Sequence, residues 1–295
     1  MSIGNFNNKL VWLIFVIFFL HSLSVSAQDK ITWLYSGFPP VQIESGAYAK
    51  KGYIDFVVHL LIDNLVDFEH SELKCNYARS HELLKEQERV AHPALLKRSD
   101  RELFTEFSIP SYVLLPNEIL VPTRVAHKLK QFIDDDGLFH LEDAITQSDL
   151  RLGIASERAY GGIIDKVLEK HQNNPNIHVR YETDLLTQLF KLMEHDRIDY
   201  IIGYAAEGQY FEKTKKTNDR IVSIPVKDMP KYYLGYVGLP KNLWGKSVIG
   251  KVNAILEKHR NTPEFHAAYE YWLDDEAKKR YRKLVKEIQT DSEST

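Results

Sequence analysis

Apolar and polar positions divide the first half of the chain into short β-type runs and longer helical segments. The run at 31–35 alternates in a β-prone composition, whereas the segment at 52–66 places Val57, Leu61 and Leu65 on one helical face. The elements predicted here are strands at 31–35, 73–78 and 90–95 and helices at 52–66 and 80–88, the second helix capped by Ser80. This alternation of strands and helices predicts a parallel sheet with covering helices.

The same alternation begins again at residue 151 and predicts a second set of β-α-β units. Its predicted elements are strands at 151–155, 178–181 and 198–204 and helices at 163–171 and 184–195. Three further helices are predicted at 247–259, 263–273 and 274–288. The chain therefore reads as an α/β protein that ends in helices.

The first 27 residues have the features of a secretory signal peptide. Lys9 precedes an apolar run at 10–20, and Val25-Ser26-Ala27 supplies small residues for cleavage. The alternative is an uncleaved membrane anchor, but a helix needs roughly 20 apolar residues to cross a bilayer. We predict cleavage near Ala27 and a periplasmic location. No cysteine lies directly after the run, so a lipid anchor is not predicted.

Composition excludes several classes of function. The net charge is −3 and the basic residues are scattered, so nucleic-acid binding has no support. Cys75 is the single cysteine, which excludes an intramolecular disulfide and a cysteine-based zinc site, and we predict it to be a small buried residue on a strand. The 12 histidines are dispersed and the common hydrolase, metalloprotease and phosphate-loop motifs are absent. We predict no metal, no cofactor and no enzymatic activity.

Arg101 is the most conspicuous candidate for ligand binding. Ser99 and Glu102 have the spacing of a capping box, which predicts a helix start with Arg101 in its first turn. A cation in a first turn opposes the helix dipole, so we expect either a structural carboxylate or an anionic ligand to hold it. Arg79 is predicted to follow a strand directly, where ligands gather in such sheets, with a surface ion pair as the alternative.

Two predicted loops carry further candidates. The loop after the first strand holds Phe38 and Pro39, preceded by Trp33 and Tyr35, of which alternation puts at least one in the core. The loop at 156–162 contains Ser156, Arg158 and Tyr160 and leads into a helix, an arrangement suited to an anion or carboxylate.

The order of these motifs resembles the solute-binding proteins of family 3, which serve polar amino acid uptake systems of the ABC type. The resemblance runs from about residue 31 to 273. It rests on Phe38-Pro39-Pro40, Gly52-x-x-Asp55, Arg101 with Phe107-Ser108-x-Pro110, Arg197-x-Asp199, Val252-Asn253 and Tyr271-Trp272-Leu273.

The resemblance implies a two-lobed type II periplasmic-binding fold, in which each lobe is a mostly parallel sheet flanked by helices. Two crossover strands, near 120–124 and 223–227, would join the lobes, and the pair would close on a ligand by hinge motion. The implied organisation is a first lobe at 28–121 and 228–290, a second lobe at 122–227 and a disordered tail at 291–295.

This chain departs from the family at two positions of the implied ligand site. Glu157, Arg158 and Ala159 replace the family's Gly-Ser-Thr turn, so a forked cation stands where hydroxyl contacts are usual. Tyr204 replaces an aspartate that pairs with the ligand's α-ammonium, and a neutral phenol cannot take over that role. Glu207 is the candidate substitute.

We therefore expect an exported protein that captures a small, polar, carboxylate-bearing ligand, either amino-acid-like or an organic acid. Arg101 and Arg158 would converge on it from opposite lobes, with aromatic rings to stack. The predicted ligand-binding residues are Arg101, Arg158, Tyr160, Phe38, Arg79, Tyr204, Tyr35 and Ser156. We expect a monomer whose membrane partner, a permease or a sensor, is encoded separately.

Two other classes of function stay open at the level of sequence. A dehydratase-like enzyme on the same scaffold would need a general acid or base, and Glu157 and Glu207 are the candidates. A ligand sensor without a transport role would use the same two lobes to signal to a membrane partner.

Overall fold

The computed structural model describes residues 29–86, 89–156, 158–181, 185–215 and 219–293. They form two mixed five-stranded sheets flanked by helices, which confirms the predicted α/β fold class. We call the part built on the first sheet the first lobe and the part built on the other sheet the second lobe. The predicted signal peptide, with its cleavage point, lies outside the described residues.

The first sheet has the strand order β2-β1-β3-β10-β4, with strands numbered along the chain. Strand β1 pairs in parallel with β2 and β3, whereas β10 pairs antiparallel with β3 and β4. Its strands are β1 (Asp29–Tyr35), β2 (Phe68–Lys74), β3 (Val90–Leu96), β4 (Thr105–Leu114) and β10 (Tyr233–Pro240).

The second sheet repeats this plan in the order β7-β6-β8-β5-β9. Strand β6 pairs in parallel with β7 and β8, and β5 pairs antiparallel with β8 and β9. Its strands are β5 (Asn117–Pro122), β6 (Leu152–Ala155), β7 (Ile177–Arg180), β8 (Tyr200–Tyr204) and β9 (Ile221–Ile224). In each sheet one strand is antiparallel to both of its neighbours, β10 in the first sheet and β5 in the second. Each of these two strands directly follows a crossing of the chain from the other sheet.

The chain changes sheet earlier than the sequence suggested. Strand β4 ends at Leu114 and β5 begins at Asn117 inside the second sheet, so the first crossing is at Leu115 and Pro116, not near 120–124. Pro116 has no N–H to donate, which interrupts the ladder at this point. The return crossing lies between Ile224 and Tyr233 and overlaps the predicted one.

The helices cover both sheets and form the C-terminal part of the chain. In the first half they are α1 (Tyr53–Asn64), α2 (Tyr77–Lys85), α3 (Ser99–Glu102), α4 (Thr123–Leu129) and α5 (Leu141–Gln147), with a 3-10 turn at Lys130–Phe132. In the second half they are α6 (Gly162–Lys170), α7 (Leu185–Glu194), α8 (Ala205–Lys215), α9 (Leu243–His259), α10 (Pro263–Glu270) and α11 (Asp275–Glu293). Helix α11 includes positions 291–293, which were expected to be a disordered tail.

Two local predictions in the first lobe were wrong. Strand β2 ends at Lys74 instead of residue 78, and Asn76, not Ser80, caps helix α2 by accepting a hydrogen bond from the Arg79 backbone N–H at 2.9 Å. An asparagine is among the best N-caps, so it starts the helix before the predicted strand could continue. Cys75 therefore follows the strand and is half-buried, with burial raising its pKa.

The predicted capping box at Ser99 is also absent. Helix α3 consists of four residues, its cap is Arg98, and no side chain caps it. Glu102 instead forms an ion pair with Lys97 at 3.1 Å. Because Arg98 is the N-cap, Ser99 stands at the first helical position and Glu102 at the fourth, so neither has the position that a capping box requires.

Two buried tryptophans and one buried aspartate hold the first lobe together. Trp33 and Trp272 are 1% and 0% exposed, and the Trp272 indole N–H donates to the Lys51 carbonyl at 3.1 Å. The Asp55 carboxylate accepts hydrogen bonds from the backbone N–H groups of Ile43 and Gly52, both at 2.9 Å. Asp55 thereby fixes the segment after β1, which leads to the site, onto the start of α1.

Within the described ranges, no helix combines the length and the apolar character that a membrane crossing would require.

Candidate ligand-binding site

A cavity of about 630 Å³ lies between the two lobes. The loop after β1 contributes Phe38 and Pro39 from the first lobe, and the second lobe contributes Ser156, Arg158 and Glu207. These residues follow the carboxyl ends of β1, β6 and β8, which is where ligands bind in open α/β sheets.

The loop that carries Arg158 is fixed by its own hydrogen bonds. The Asp165 carboxylate accepts bonds from the backbone N–H groups of Tyr160 and Gly161, both at 2.8 Å. The Tyr160 hydroxyl accepts another from the Ala155 N–H at 2.8 Å. Gly161 and Gly162 have φ angles of +86° and +57°, a region that favours glycine, and a Cβ on Gly161 would lie 2.9 Å from the Tyr233 hydroxyl. The glycine pair therefore allows the turn and the close approach of the first lobe.

Arg158 forms a bidentate ion pair with Glu207. Its Nη1 donates to Glu207 Oε1 at 3.0 Å and its Nη2 to Oε2 at 2.9 Å, while Nη2 also donates to Asn117 Oδ1 at 3.1 Å. The Glu207 side chain is 1% exposed and that of Arg158 is 17% exposed. The pair is therefore largely removed from water, where its geometry matters most.

Glu207 is held in place by its own lobe. It lies in the first turn of α8 and its Oε2 accepts a hydrogen bond from the Tyr204 backbone N–H at 2.8 Å. A Cβ on Gly203 would come within 2.6 Å of the same oxygen, so the glycine leaves room for the carboxylate. Glu207, the candidate substitute for the aspartate that binds an α-ammonium, thus pairs with Arg158 of the same chain.

Three aromatic rings surround the Arg158 guanidinium. Its Cζ lies 5.8 Å from the ring centroid of Phe38, 5.2 Å from that of Tyr160 and 5.4 Å from that of Tyr204. These distances are within the range of cation–π attraction. Because Phe38 belongs to the first lobe, this contact crosses the cleft.

Electrostatics keep the Arg158 guanidinium charged. Burial acts to lower the pKa of Arg158, but the charge of Glu207 and its hydrogen bonds together outweigh burial, so the net pKa is raised. Burial raises the pKa of Tyr204 to about 12 although the Arg158 charge opposes it. The ion pair therefore places opposite charges at the cavity, whose lining also includes Lys215, and the nearby Tyr204 phenol is neutral at neutral pH.

Arg101 is anchored by backbone, not by a carboxylate. Its Nη1 donates to the Leu96 carbonyl at 2.9 Å, whereas its buried Nε has no hydrogen-bond partner among the described residues. Burial, reinforced by Arg98, lowers its pKa. Among described residues, those that line the 630 Å³ cavity include Arg158 but not Arg101. The convergence of the two arginines stays a prediction.

The other predicted residues divide between the cavity and elsewhere. Ser156 lines the cavity and its backbone N–H donates to the Arg180 carbonyl at 2.7 Å. Trp33 and Tyr35 are both buried, and burial, followed by the charge of Glu44, raises the pKa of Tyr35 to about 12. Arg79 forms an exposed ion pair with Glu86 at 3.2 Å, the alternative that the sequence left open.

The sequence prediction missed Asn117 and the side chains of α7 and α8 that line the cavity. Asn117 and Glu118 open an otherwise apolar strand and are each 2% exposed. Polar residues at the start of a buried strand are costly unless they are paired, and that signal could have identified them. The missed lining residues on these two helices are Leu186, Thr187, Leu189 and Phe190 on α7 and Tyr210, Phe211, Thr214 and Lys215 on α8.

Of the two candidate acid-base residues, the structure describes Glu207. The Glu207 side chain accepts three hydrogen bonds, two from Arg158 and one from the Tyr204 backbone N–H. Glu157 lies outside the described residues.

Comparison with protein-family models found no match. Comparison with curated proteins also found none.

Solved structures share the architecture. An ancestral cationic amino acid solute-binding protein has a TM-score of 0.63 at 12% identity, covering 84% of this chain and 97% of that one. The probable amino-acid ABC transporter extracellular-binding protein ytmK from Bacillus subtilis has a TM-score of 0.61 at 16% identity, covering 84% and 99%. A histidine kinase sensor domain similar to periplasmic binding proteins has a TM-score of 0.54 at 12% identity, covering 83% and 96%. The chain therefore has the two-lobed type II periplasmic-binding fold found in amino acid solute-binding proteins, at identities that establish the fold and not the ligand.

Proposed function

We propose that this chain is an exported solute-binding protein that captures a small, polar, carboxylate-bearing ligand between its lobes by hinge closure. The observation that carries the proposal is a single cavity to which both lobes contribute, with Phe38 and Pro39 facing Arg158 and Glu207. A ligand that touches both lobes binds the closed state better than the open one and so shifts the population toward it.

A buried polar network next to the crossings supports hinge motion. Arg280 Nη2 on α11 donates to Glu118 Oε2 on β5 at 2.6 Å and to the Ser223 hydroxyl on β9 at 3.2 Å. Helix α11 packs on the core of the first lobe through Ala277 and Tyr281. The network therefore ties the first lobe to the two strands that lie beside the crossings, where a rigid-body rotation would pivot.

Arg101 does not line the 630 Å³ cavity of the described structure, so we propose that it meets a ligand carboxylate when the lobes close further. Its guanidinium is half-buried and its Nε lacks an acceptor among the described residues. A buried donor without a partner is costly, and a carboxylate would satisfy it with a charge-assisted bond. In the second lobe, Ser156, Tyr160 and Tyr204 would complete the site.

A protein that captures such a ligand can serve either uptake or signalling. Solved structures with this fold include a probable ABC transporter binding protein and a histidine kinase sensor domain. We place this chain with uptake, delivering its ligand to a separately encoded permease. A permease and ATPase encoded beside it would agree with uptake, whereas an adjacent sensor kinase would indicate signalling.

Replacing Arg101 with alanine is expected to weaken ligand binding. The ligand would first be identified by a thermal-shift screen of amino acids and organic acids against residues 28–295. A lost arginine–carboxylate contact of about 1.5–3 kcal/mol corresponds to a roughly 10- to 150-fold higher Kd, measured by calorimetry.

Arg282→Ala is the matched control, because Arg282 is exposed and paired with Glu270 on the outer surface of the C-terminal helices. The Kd of the Arg282→Ala variant for the ligand should stay within about twofold of the wild-type value. Unchanged affinity of Arg101→Ala would disprove the carboxylate assignment. A screen without any ligand would contradict the solute-binding function itself.

A further inference from the structure

The guanidinium of Arg158 is surrounded by its own chain as a bound cation would be. It makes two hydrogen bonds to Glu207 and one to Asn117, between 2.9 and 3.1 Å, and three aromatic rings lie within 5.8 Å of its Cζ. An anion, a neutral acceptor and aromatic faces are the groups that recognise a planar cation.

The walls of this site are held by bonds that do not involve Arg158. The Tyr204 N–H fixes the Glu207 carboxylate at 2.8 Å, and Asn117 Nδ2 donates to the Tyr160 carbonyl at 2.9 Å. The Tyr160 hydroxyl is held by the Ala155 N–H at 2.8 Å. A receptor whose parts are fixed independently keeps its shape when the occupant is removed.

Tethering gives Arg158 an advantage over any free cation. It lies in a loop that is pinned through Asp165, so its guanidinium reaches the site at a high effective concentration. A free cation of the same chemistry would have to displace it and leave a second positive charge in the cleft.

We propose that Glu207, Asn117 and the rings of Phe38, Tyr160 and Tyr204 form a guanidinium receptor that Arg158 occupies, and that this occupancy excludes cationic groups from the ligand cleft. Arg158 is then a determinant of ligand charge and not itself the group that grips a carboxylate. The exclusion of cationic ligands rests on the proposed binding function, whereas the receptor does not.

Removal of the tethered group tests the proposal. Arg158→Ala is titrated with methylguanidinium chloride and, as a neutral isostere, with methylurea, at constant ionic strength set by sodium chloride. We expect Arg158→Ala to bind methylguanidinium about tenfold or more tighter than methylurea and to be stabilised by it thermally, while the wild-type protein shows no saturable binding.

Glu207→Gln in the Arg158→Ala background is the matched control, because it removes the charge and keeps the shape. It should lose the preference for methylguanidinium. Equal binding by wild type and Arg158→Ala, or no preference over methylurea, would overturn the proposal. If Arg158→Ala is insoluble, Arg158→Gln is titrated instead, with the same preference expected and the same result overturning it.

This experiment separates the receptor from the proposed function. Methylguanidinium has no carboxylate, so Arg101→Ala should leave its binding to Arg158→Ala unchanged. Selective binding of methylguanidinium without any carboxylate ligand in the screen would support the receptor and contradict the proposed function. A carboxylate ligand found in the screen, without selective methylguanidinium binding, would support the proposed function and contradict the receptor.

Discussion

Replacing Glu207 with alanine is expected to lower the free energy of unfolding by about 3–5 kcal/mol. The substitution leaves the guanidinium of Arg158 in the cleft without its anion and the Tyr204 N–H without an acceptor. For a protein of this size that loss corresponds to a melting temperature lower by roughly 10 °C. Urea unfolding and calorimetry at pH 7 measure both quantities.

The reason for the large effect is the unpaired charge, and a double variant tests this directly. Arg158→Met combined with Glu207→Leu removes both charges and should recover most of the lost stability, so the two substitutions are strongly non-additive. Lys279→Ala is the control, since Lys279 and Glu276 form an exposed pair and its loss should leave the free energy of unfolding nearly unchanged. A cost below about 1 kcal/mol for Glu207→Ala would show that the pair is not buried in solution.

Stability is expected to fall as the pH is lowered from about 6.5 toward 3, in part because of His92. Burial, with smaller effects of His81 and Arg101, lowers the pKa of His92 from 6.5 to about 3. The folded state therefore does not bind the proton that the unfolded state takes up in this window. The contribution of His92 to the free energy of unfolding is fully present above pH 6.5. It decreases below that pH, by about 2 kcal/mol at pH 5 and on the order of 4 kcal/mol near pH 3.

His92→Asn isolates this contribution. The His92 Nδ1 accepts a hydrogen bond from the Ala94 N–H at 3.1 Å, and the asparagine Oδ1 can accept it instead without titrating. The difference in unfolding free energy between wild type and variant, measured in urea at pH 7, 6, 5 and 4, should change by the amounts above. Parallel pH curves would show that His92 is protonated in the folded state or exposed to water.

The elements that depend on local pattern were predicted well. Strands β1 and β3 and helix α6 lie within two residues of their predicted bounds, because alternation and helical spacing are properties of short segments. Strand β2 and helix α2 were misplaced, since the charged strand at 68–74 pairs at the sheet edge and shows little alternation. Edge strands often carry charged side chains, which protect the unpaired row of backbone groups and which obscure the alternation of apolar and polar residues.

The residues of the candidate site likewise divide into those that local sequence predicted and those that it missed. Phe38, Ser156 and Arg158 were predicted because they follow strands, and the carboxyl ends of parallel strands meet at one edge of each sheet. Asn117 was missed because its place depends on β5 pairing antiparallel with β8, which puts Asn117 opposite Tyr204. A one-residue shift of that register would turn its side chain to the other face, and the sequence alone does not fix it.

The sequence by itself determined an α/β chain with two β-α-β sets and placed the candidate ligand residues at the ends of their strands. It did so because hydrophobic periodicity and loop composition are local. Only the tertiary structure decided that Arg158 meets Glu207, 49 positions away, and that a ring from the other lobe covers the pair. The pairing of these charges depends on the order of the strands in a sheet and on how the two sheets face one another. No single segment of the sequence determines either property.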